Sequence, residues 1–208
     1  MDALLRLSDG APAAALLLAA MIAASAAGLW LAPALIERSL FRPYWFWRKR
    51  QFATPLTSAF MHADLAHLLF NAFTFWAFAF ALERRIGTPA FVALYAFGIA
   101  VSDAVSWWRH RHEPQYATLG ASGAILAVLF ASIVYLPDSS IFVLPIPVPI
   151  PAPVFAVCYL VYSIVASRRG FGRVNHDAHL GGAAAGLLFV VLTDPHAIRQ
   201  ALRHWGLD

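Results

Sequence analysis

The composition of the 208-residue chain lies outside the range of water-soluble domains. The residues AVILMFWYC make up 61% of it and charged residues only 12%, whereas soluble domains carry roughly 45–50% apolar and about 25% charged residues. Lipid is therefore expected to solvate much of this surface. The net charge of +4 does not indicate nucleic-acid binding, because the basic residues lie in short clusters between apolar runs. The single cysteine, Cys158, excludes an intramolecular disulfide and a cysteine-rich metal site.

Six apolar runs follow one another along the chain. They predict an all-α polytopic membrane protein with six transmembrane helices, folded as one domain over residues 1–208. The predicted spans cover residues 11–33, 57–82, 89–108, 117–136, 152–167 and 178–193. The first run is longer than the roughly 7–15 residues of a signal-peptide core, which favours a retained span over a cleaved leader.

The segments between the runs also have the composition of a membrane protein. Residues 34–56 combine basic side chains with Tyr44, Trp45 and Trp47, which predicts a segment lying in the headgroup region. Prolines at every second position from 145 to 153 forbid helix and predict an extended connection before the fifth span. With six spans, the second, fourth and sixth begin at the same membrane face.

Strongly polar residues inside spans are costly in lipid and are therefore functional candidates. His67 and Asn71 lie in the predicted second span. Ser122 lies about six residues into the fourth run, and His179 lies near the start of the sixth. At 1.5 Å per residue, these depths place all of them in one cavity roughly 10 Å below the membrane surface.

Ser122 and His179 together predict acyl-transfer chemistry. A serine hydroxyl becomes an effective nucleophile when a base, such as a neutral histidine, takes its proton. Small residues let two helices approach closely enough for that contact. The small residues beside the two candidates are Gly120, Gly123, Gly182 and Gly186.

The developing oxyanion needs hydrogen-bond donors, and the sequence offers two kinds. Ser122 is expected at a helix start, where free backbone N–H groups and the positive end of the helix dipole point outward. His67 and Asn71 are four residues apart, so they share a helix face and could add side-chain donors.

Other polar residues have plainer interpretations. His62 lies five residues before His67, roughly 500° of helical rotation, and is interpreted as a structural hydrogen-bonding residue. Asp103 lies near the loop end of the third span and is expected to be hydrated or paired. His176 and Asp177 are expected in the loop before the sixth span. Each motif alone is weak, and the joint pattern on three spans carries the prediction.

Four motifs match those of one protein family in order and separation. They are His62-x4-His67-x3-Asn71, Glu83-Arg84-Arg85-Ile86-Gly87, Gly120-Ala121-Ser122-Gly123 and Ala178-His179-x2-Gly182-x3-Gly186. On these motifs the chain resembles the rhomboid intramembrane serine proteases in their six-span bacterial form. The resemblance covers about residues 54–194.

The resemblance implies a six-transmembrane-helix rhomboid-like bundle acting as a serine endopeptidase on transmembrane segments of other membrane proteins. It implies Ser122 as the nucleophile and His179 as the general base of a dyad without an acidic member. The oxyanion would be held by His67, Asn71 and the Ser122 backbone N–H. In this family the substrates usually have a locally unstable helix and a small residue before the cut.

The same resemblance implies further properties. Glu83 and Arg85 would form the family's structural pair, with Gly120, Gly123, Gly182 and Gly186 as structural support. No cofactor and no metal would be needed. The partners would be transmembrane substrates and the lipid bilayer, without nucleic acid. The location would be a bacterial inner (plasma) membrane, with several spans.

Two features depart from the family pattern. Many members carry a tyrosine one turn after the nucleophile, where it stacks on the catalytic imidazole, but this chain has Leu126. The loops on the active-site side carry ten Lys and Arg residues and the other side five. By the positive-inside rule this count favours the inverse of the family's orientation, in which the termini are cytoplasmic. Five of the ten lie in residues 34–56, the segment predicted in the headgroup region, so the family's orientation is kept as the expectation.

Two alternatives remain open at this stage. A catalytically weak or inactive relative could bind membrane clients without cleaving them, although such relatives typically lack the serine or the histidine. A metal-dependent membrane protein could use a histidine-rich set of ligands, but the His-Glu-x-x-His motif is absent and the spacing of His62 and His67 is poor for joint ligation. The set comprises His62, His67, His176, Asp177 and His179.

Overall fold

Helices account for most of the described chain. The computed structural model describes residues 10–142, 148–169 and 175–207. Its elements are α1 (Pro12–Ala26) continued by a π-helical turn (Ala27–Leu31), α2 (Ala34–Ser39), α3 (Pro43–Arg48), α4 (Thr54–Ser58), α5 (Leu65–Ile86), α6 (Thr88–His110), α7 (Ser122–Tyr135), β1 (Ser140–Phe142), β2 (Pro149–Pro151), α8 (Ala152–Arg169), α9 (His176–Thr193) and α10 (Pro195–His204). The protein is an all-α polytopic helical bundle, as predicted.

Four helices in the described part of the chain are long and apolar enough to cross a membrane: α1 with its π turn, α5, α6 and α9. The other two apolar helices, α7 and α8, are shorter. The 14 residues of α7 reach about 21 Å at 1.5 Å per residue, less than the roughly 30 Å of a bilayer core. Its residues from 123 to 134 are all buried, so α7 is the central helix, with protein rather than lipid around it.

The central helix is packed closely against α9 through glycines. A β-carbon at Gly182 would lie 3.0 Å from Cα of Gly123, and one at Gly186 would lie 3.0 Å from Cα of Ala127. Both would overlap the carbonyl oxygen of the facing residue. The glycine spacing in the sixth span therefore predicted the helix contact correctly, and this contact places the start of α9 beside the start of α7.

Three predicted helix starts were wrong, each for a local reason. The second span begins at Leu65 rather than at residue 57, because Asp64 caps it through the His67 backbone N–H at 2.8 Å. The fourth begins at Ser122 because Gly120 has φ +124°, a value outside the helical region. The sixth begins earlier than predicted.

The early start of α9 comes from a side-chain cap. Asn175 Oδ1 accepts from the Ala178 backbone N–H at 3.0 Å, a typical N-cap interaction. His176 and Asp177 are therefore the first residues of the helix, and the prediction that they lie in a loop was wrong.

The aromatic segment after α1 folds into short helices on the same side as the start of α7. Phe41 pairs with Thr118 through backbone hydrogen bonds of 2.9 Å in both directions. The indole N–H of Trp45 donates to the carbonyl of Pro114 at 3.1 Å. Trp47 is 62% exposed.

The proline-rich connection is partly extended, as predicted. Strands β1 and β2 pair antiparallel, with Pro149 and Pro151 in β2. Pro153 lies instead in the first turn of α8, where a missing backbone N–H costs no helical hydrogen bond. Pro145 and Pro147 lie outside the described residues.

Glu83 anchors the start of the first helix. Its buried carboxylate accepts from the backbone N–H groups of Ala13 at 3.0 Å and Ala14 at 2.6 Å, and from the Thr88 hydroxyl at 2.6 Å. A carboxylate at a helix N-terminus satisfies free donors and complements the helix dipole. Arg85 is exposed and forms no ion pair with Glu83, so the expected structural pair is replaced by this anchor.

Candidate active site

Ser122 and His179 meet at the starts of the two closely packed helices. Nε2 of His179 lies 2.8 Å from Oγ of Ser122, within hydrogen-bond range for a nucleophile and its base. Ser122 is the first residue of α7 and His179 lies in the first turn of α9. Gly123, next to the serine, lets α7 lie close to α6, since a β-carbon at Gly123 would clash with the side chain of Ser102 on α6.

Asn175 ties this contact to the rest of the bundle. Besides capping α9, its Nδ2 donates to the hydroxyls of Ser106 at 3.0 Å and Thr118 at 3.1 Å. Ser106 belongs to α6, and Thr118 lies in the loop that leads into Ser122. The start of α9 is thus hydrogen-bonded to α6 and to the loop before Ser122, four residues ahead of His179.

Tyr159 is a site residue that the sequence did not reveal. Its hydroxyl on α8 lies 2.9 Å from Nδ1 of His179, the ring nitrogen that faces away from Ser122. The two rings are nearly parallel, with an interplanar angle of 28° and centroids 6.5 Å apart. Leu126, where the family often has tyrosine, is buried in the apolar cluster against which Tyr159 packs. The leucine at position 126 indicated that the His179 imidazole lacks its usual aromatic partner, but it did not indicate that Tyr159 takes that place.

His67 and Asn71 lie beside the loop that leads into Ser122. A β-carbon at Gly120 would lie 2.8 Å from Cε1 of His67 and 3.8 Å from Nδ2 of Asn71. The backbone of Gly120 therefore passes directly over both side chains. Only glycine accommodates both this approach and the φ of +124°.

His62 is hydrogen-bonded at both ring nitrogens. The Ser25 hydroxyl donates to the Phe60 carbonyl at 3.0 Å, so its oxygen must accept the Nδ1–H of His62, 2.8 Å away. Nε2 of His62 is then unprotonated and accepts from Nδ2 of Asn71 at 2.8 Å. His62 thus has the structural role predicted for it, and it fixes the orientation of the Asn71 amide.

His62 lies in the loop ahead of α5, with its ring fully buried. Burial lowers the pKa of His62 to about 3, and the neighbouring His67 lowers it further than burial alone. The neutral imidazole required by the two hydrogen bonds is therefore the form present at physiological pH.

Asp177 and Asp103 lie apart from the serine–histidine contact. The two carboxylate oxygens of Asp177 accept from Ser167 at 2.6 Å and from His110 at 3.0 Å. Neither oxygen is hydrogen-bonded to His179. His110 also stacks on Tyr116, with ring centroids 3.7 Å apart, and burial raises the pKa of that tyrosine.

Asp103 is mostly buried rather than hydrated, and its Oδ2 has no hydrogen-bond partner among the described residues.

The histidine-rich set of the metal hypothesis does not converge. Within residues 10–142, 148–169 and 175–207, no three His, Cys, Asp or Glu side chains are arranged to hold a metal ion. His62 is engaged by Ser25 and Asn71, and Asp177 by Ser167 and His110. His176 is buried and its ring packs edge-on against Tyr162.

The fold and the site define a polytopic membrane protein with a serine–histidine contact at the ends of two packed helices. Residues 49–195 match the Rhomboid domain family. Because this match covers well over half of the chain, the protein belongs to the rhomboid family.

Individual relatives agree with this assignment. The chain is 31% identical over 137 residues to the presenilin-associated rhomboid-like protein, mitochondrial, of Rattus norvegicus, which covers 65% of this chain and 36% of the relative. It is 30% identical over 135 residues to the corresponding protein A of Danio rerio, with 64% and 35% covered. Rhomboid protein 1, mitochondrial, of Saccharomyces cerevisiae is 28% identical over 139 residues, with 64% and 39% covered.

The relatives bear on location as well. This chain spans little more than a third of the length of the three relatives, at 36%, 35% and 39%. The membrane-spanning helices and the family show an integral membrane protein. All three relatives carry the word mitochondrial in their names, so the comparison does not support the bacterial plasma membrane expected from the sequence.

Proposed function

We propose that this protein is an intramembrane serine endopeptidase in which Ser122 is the nucleophile and His179 the general base. The observation that carries the proposal is the 2.8 Å contact between Oγ of Ser122 and Nε2 of His179. Membership of the rhomboid family, whose members are generally intramembrane serine proteases, supports it.

The reaction follows from the roles of the two side chains. Nε2 of His179 takes the hydroxyl proton as Oγ of Ser122 attacks the carbonyl carbon of the scissile peptide bond. When the tetrahedral intermediate collapses, the imidazolium returns this proton to the leaving amine, and the acyl group stays on Ser122. A water molecule then attacks the ester, again with His179 as base, and releases the acid product.

The oxyanion would be held by three groups on two elements. The backbone N–H of Ser122 lies in the first turn of α7, where the first intrahelical bond is made only at Ile125, to the Ala121 carbonyl. Such N–H groups point out of the helix start and carry its positive dipole end. His67 and Asn71 border the same loop through Gly120. Loss of one such donor typically lowers kcat by about 10²–10³.

The substrate class follows from where the site lies. The dyad is formed by apolar helices of a membrane bundle, so the scissile bond must come to it within or near the bilayer. A peptide bond in an intact helix hides its carbonyl in the backbone hydrogen-bond ladder. The substrate would therefore be a transmembrane segment of another membrane protein that unwinds locally at the cut.

A fluorophosphonate probe tests the nucleophile directly. Purified wild-type protein in detergent is expected to be labelled, with and without EDTA, and Ser122→Ala and His179→Ala are expected to lose labelling by at least about a thousandfold. Ser132→Ala is the matched control, because this serine lies on the same helix but donates to the Val128 carbonyl. It should be labelled at the wild-type rate.

A second assay tests the peptidase activity itself. The protein is reconstituted in liposomes with a tagged single-span reporter, and the products are sized by mass spectrometry. A cut within the spanning segment that requires Ser122 supports the proposal. Wild-type protein that is folded yet neither labelled nor active would contradict it and favour a client-binding protein.

A further inference from the structure

The second ring nitrogen of the proposed base has a partner that no family motif supplies. Nδ1 of His179 lies 2.9 Å from the hydroxyl of Tyr159. The nearest carboxylate along the chain, Asp177, has both oxygens engaged by Ser167 and His110. We infer that Tyr159 is the positioning residue of the dyad, accepting a hydrogen bond from Nδ1–H of His179; this inference rests on the proposed function.

The direction of this hydrogen bond follows from the proton inventory of the site. If the Ser122 hydroxyl donates to Nε2, as a nucleophile must, Nε2 carries no proton. The neutral imidazole then carries its proton on Nδ1, and the Tyr159 oxygen accepts it. The tyrosine thereby selects the one tautomer in which His179 can act as a base.

Tyr159 is itself held firmly enough to orient another ring. It stacks on Phe155, with centroids 5.6 Å apart and an interplanar angle of 24°. Its ring also packs against Phe130, which is fully buried, with centroids 6.1 Å apart. The contact with Phe130 joins α8 to the central helix α7. The hydroxyl is thus presented to His179 from a packed aromatic group rather than from a free surface side chain.

Leu126 explains why the partner comes from another helix. A tyrosine at position 126 would lie one turn beyond Ser122 on α7, whereas the leucine adds only apolar volume to the cluster that contains Phe130. Tyr159 packs against this cluster from α8. The aromatic support of the base therefore comes from a different helix in this protein, and its hydroxyl reaches Nδ1 of His179 within hydrogen-bond distance.

Three measurements on detergent-purified protein test this inference: the tautomer of His179, the rate of fluorophosphonate labelling, and kcat with KM for a reporter. In wild-type protein labelled with ¹⁵N-histidine, the His179 signals, identified by their loss in His179→Ala, should show a protonated Nδ1 and an unprotonated Nε2. In Tyr159→Phe the ring stays but the acceptor is lost, so both tautomers should be present. The rate of fluorophosphonate labelling should fall about tenfold, the value of one hydrogen bond, and kcat for a reporter should fall with KM unchanged.

Tyr162→Phe is the matched control. This tyrosine lies on the same helix, is 59% exposed and contacts His176 instead. Removal of its hydroxyl should change neither the rate of fluorophosphonate labelling nor the tautomer of His179. An unprotonated Nδ1 of His179 in wild-type protein overturns the inference, whether or not Tyr159→Phe folds. So does a Tyr159→Phe protein with wild-type labelling rate and tautomer. The proposed function fails separately, if the wild type itself is unlabelled.

Discussion

Gly182 lies so close to Gly123 that a β-carbon on Gly182 would come within 3.0 Å of the facing Cα and would overlap the facing carbonyl oxygen. The contact between Ser122 and His179 depends on this approach, because Ser122 starts one of the two helices and His179 lies in the first turn of the other. The obstacle is backbone rather than a flexible side chain, so a larger residue can be accommodated only by moving a helix.

Gly182→Ala is therefore expected to separate α7 from α9. Overpacking of this kind costs typically about 1–3 kcal/mol, which should appear as a lower thermal midpoint. The labelling rate of Ser122 should fall at least about tenfold, since a hydrogen bond weakens steeply with distance. Ala184→Val adds volume on the exposed side of the same helix and should leave both properties unchanged. Unchanged labelling in Gly182→Ala would contradict this account of the dyad.

The sequence predicted the contact between Ser122 and His179 because each of the two residues is marked by its own local motif of small residues. Ser122 is surrounded by small residues, and Gly182 follows His179 at a spacing that defines one helix face. The contact between Tyr159 and His179 could not be predicted, because it joins two helices whose relative rotation is set by packing. Leu126 indicated that a partner was missing but carried no information about where it came from.

The sequence predicted which segments form the apolar helices better than it predicted where each helix starts. Hydropathy places apolar runs in a membrane but does not distinguish an apolar loop from a helix. The true starts depend on single residues: the Asp64 cap before α5, the φ of +124° at Gly120 before α7, and the Asn175 cap before α9. For this reason the helix starts at Ser122, where the serine was expected to lie, although the apolar run begins at residue 117.

His62 and Asn71 should behave as one unit in mutagenesis. Asn71→Ala removes a proposed oxyanion donor, with an expected loss of about 10²-fold in kcat. His62→Ala leaves the Asn71 amide without its acceptor and should lower kcat about tenfold, the value of one hydrogen bond. Adding His62→Ala to Asn71→Ala should cost little more, because the amide to be oriented is already absent. Additive losses in the double variant would show that His62 acts independently of Asn71.

The same histidine predicts how stability depends on pH. The folded-state pKa of His62 is about 3, below the value of about 6.5 in unfolded chains. The unfolded state therefore binds the proton first, so this contribution is fully present above about pH 6.5 and is lost as the pH falls toward 3. At pH 5 the loss amounts to about 2 kcal/mol. The thermal midpoint of wild-type protein should fall between pH 7 and pH 5 more than that of His62→Gln, and equal slopes would contradict the assignment.

Glu83 and Arg85 should differ sharply in their effect on stability, although the sequence suggested a pair. Glu83→Ala leaves two backbone N–H groups at the start of α1 and the Thr88 hydroxyl without their acceptor. Hydrogen bonds to a charged group contribute about 1.5–3 kcal/mol each, so a loss of at least about 3 kcal/mol is expected in thermal or denaturant unfolding.

Arg85→Ala is the control for this anchor. The side chain is exposed and forms no ion pair with Glu83, and surface substitutions of this kind usually change stability by less than about 0.5 kcal/mol. Because the anchor holds α1 rather than the dyad, the fraction of Glu83→Ala that remains folded should label at the wild-type rate. Equal destabilisation by the two substitutions would instead support a functional ion pair between Glu83 and Arg85.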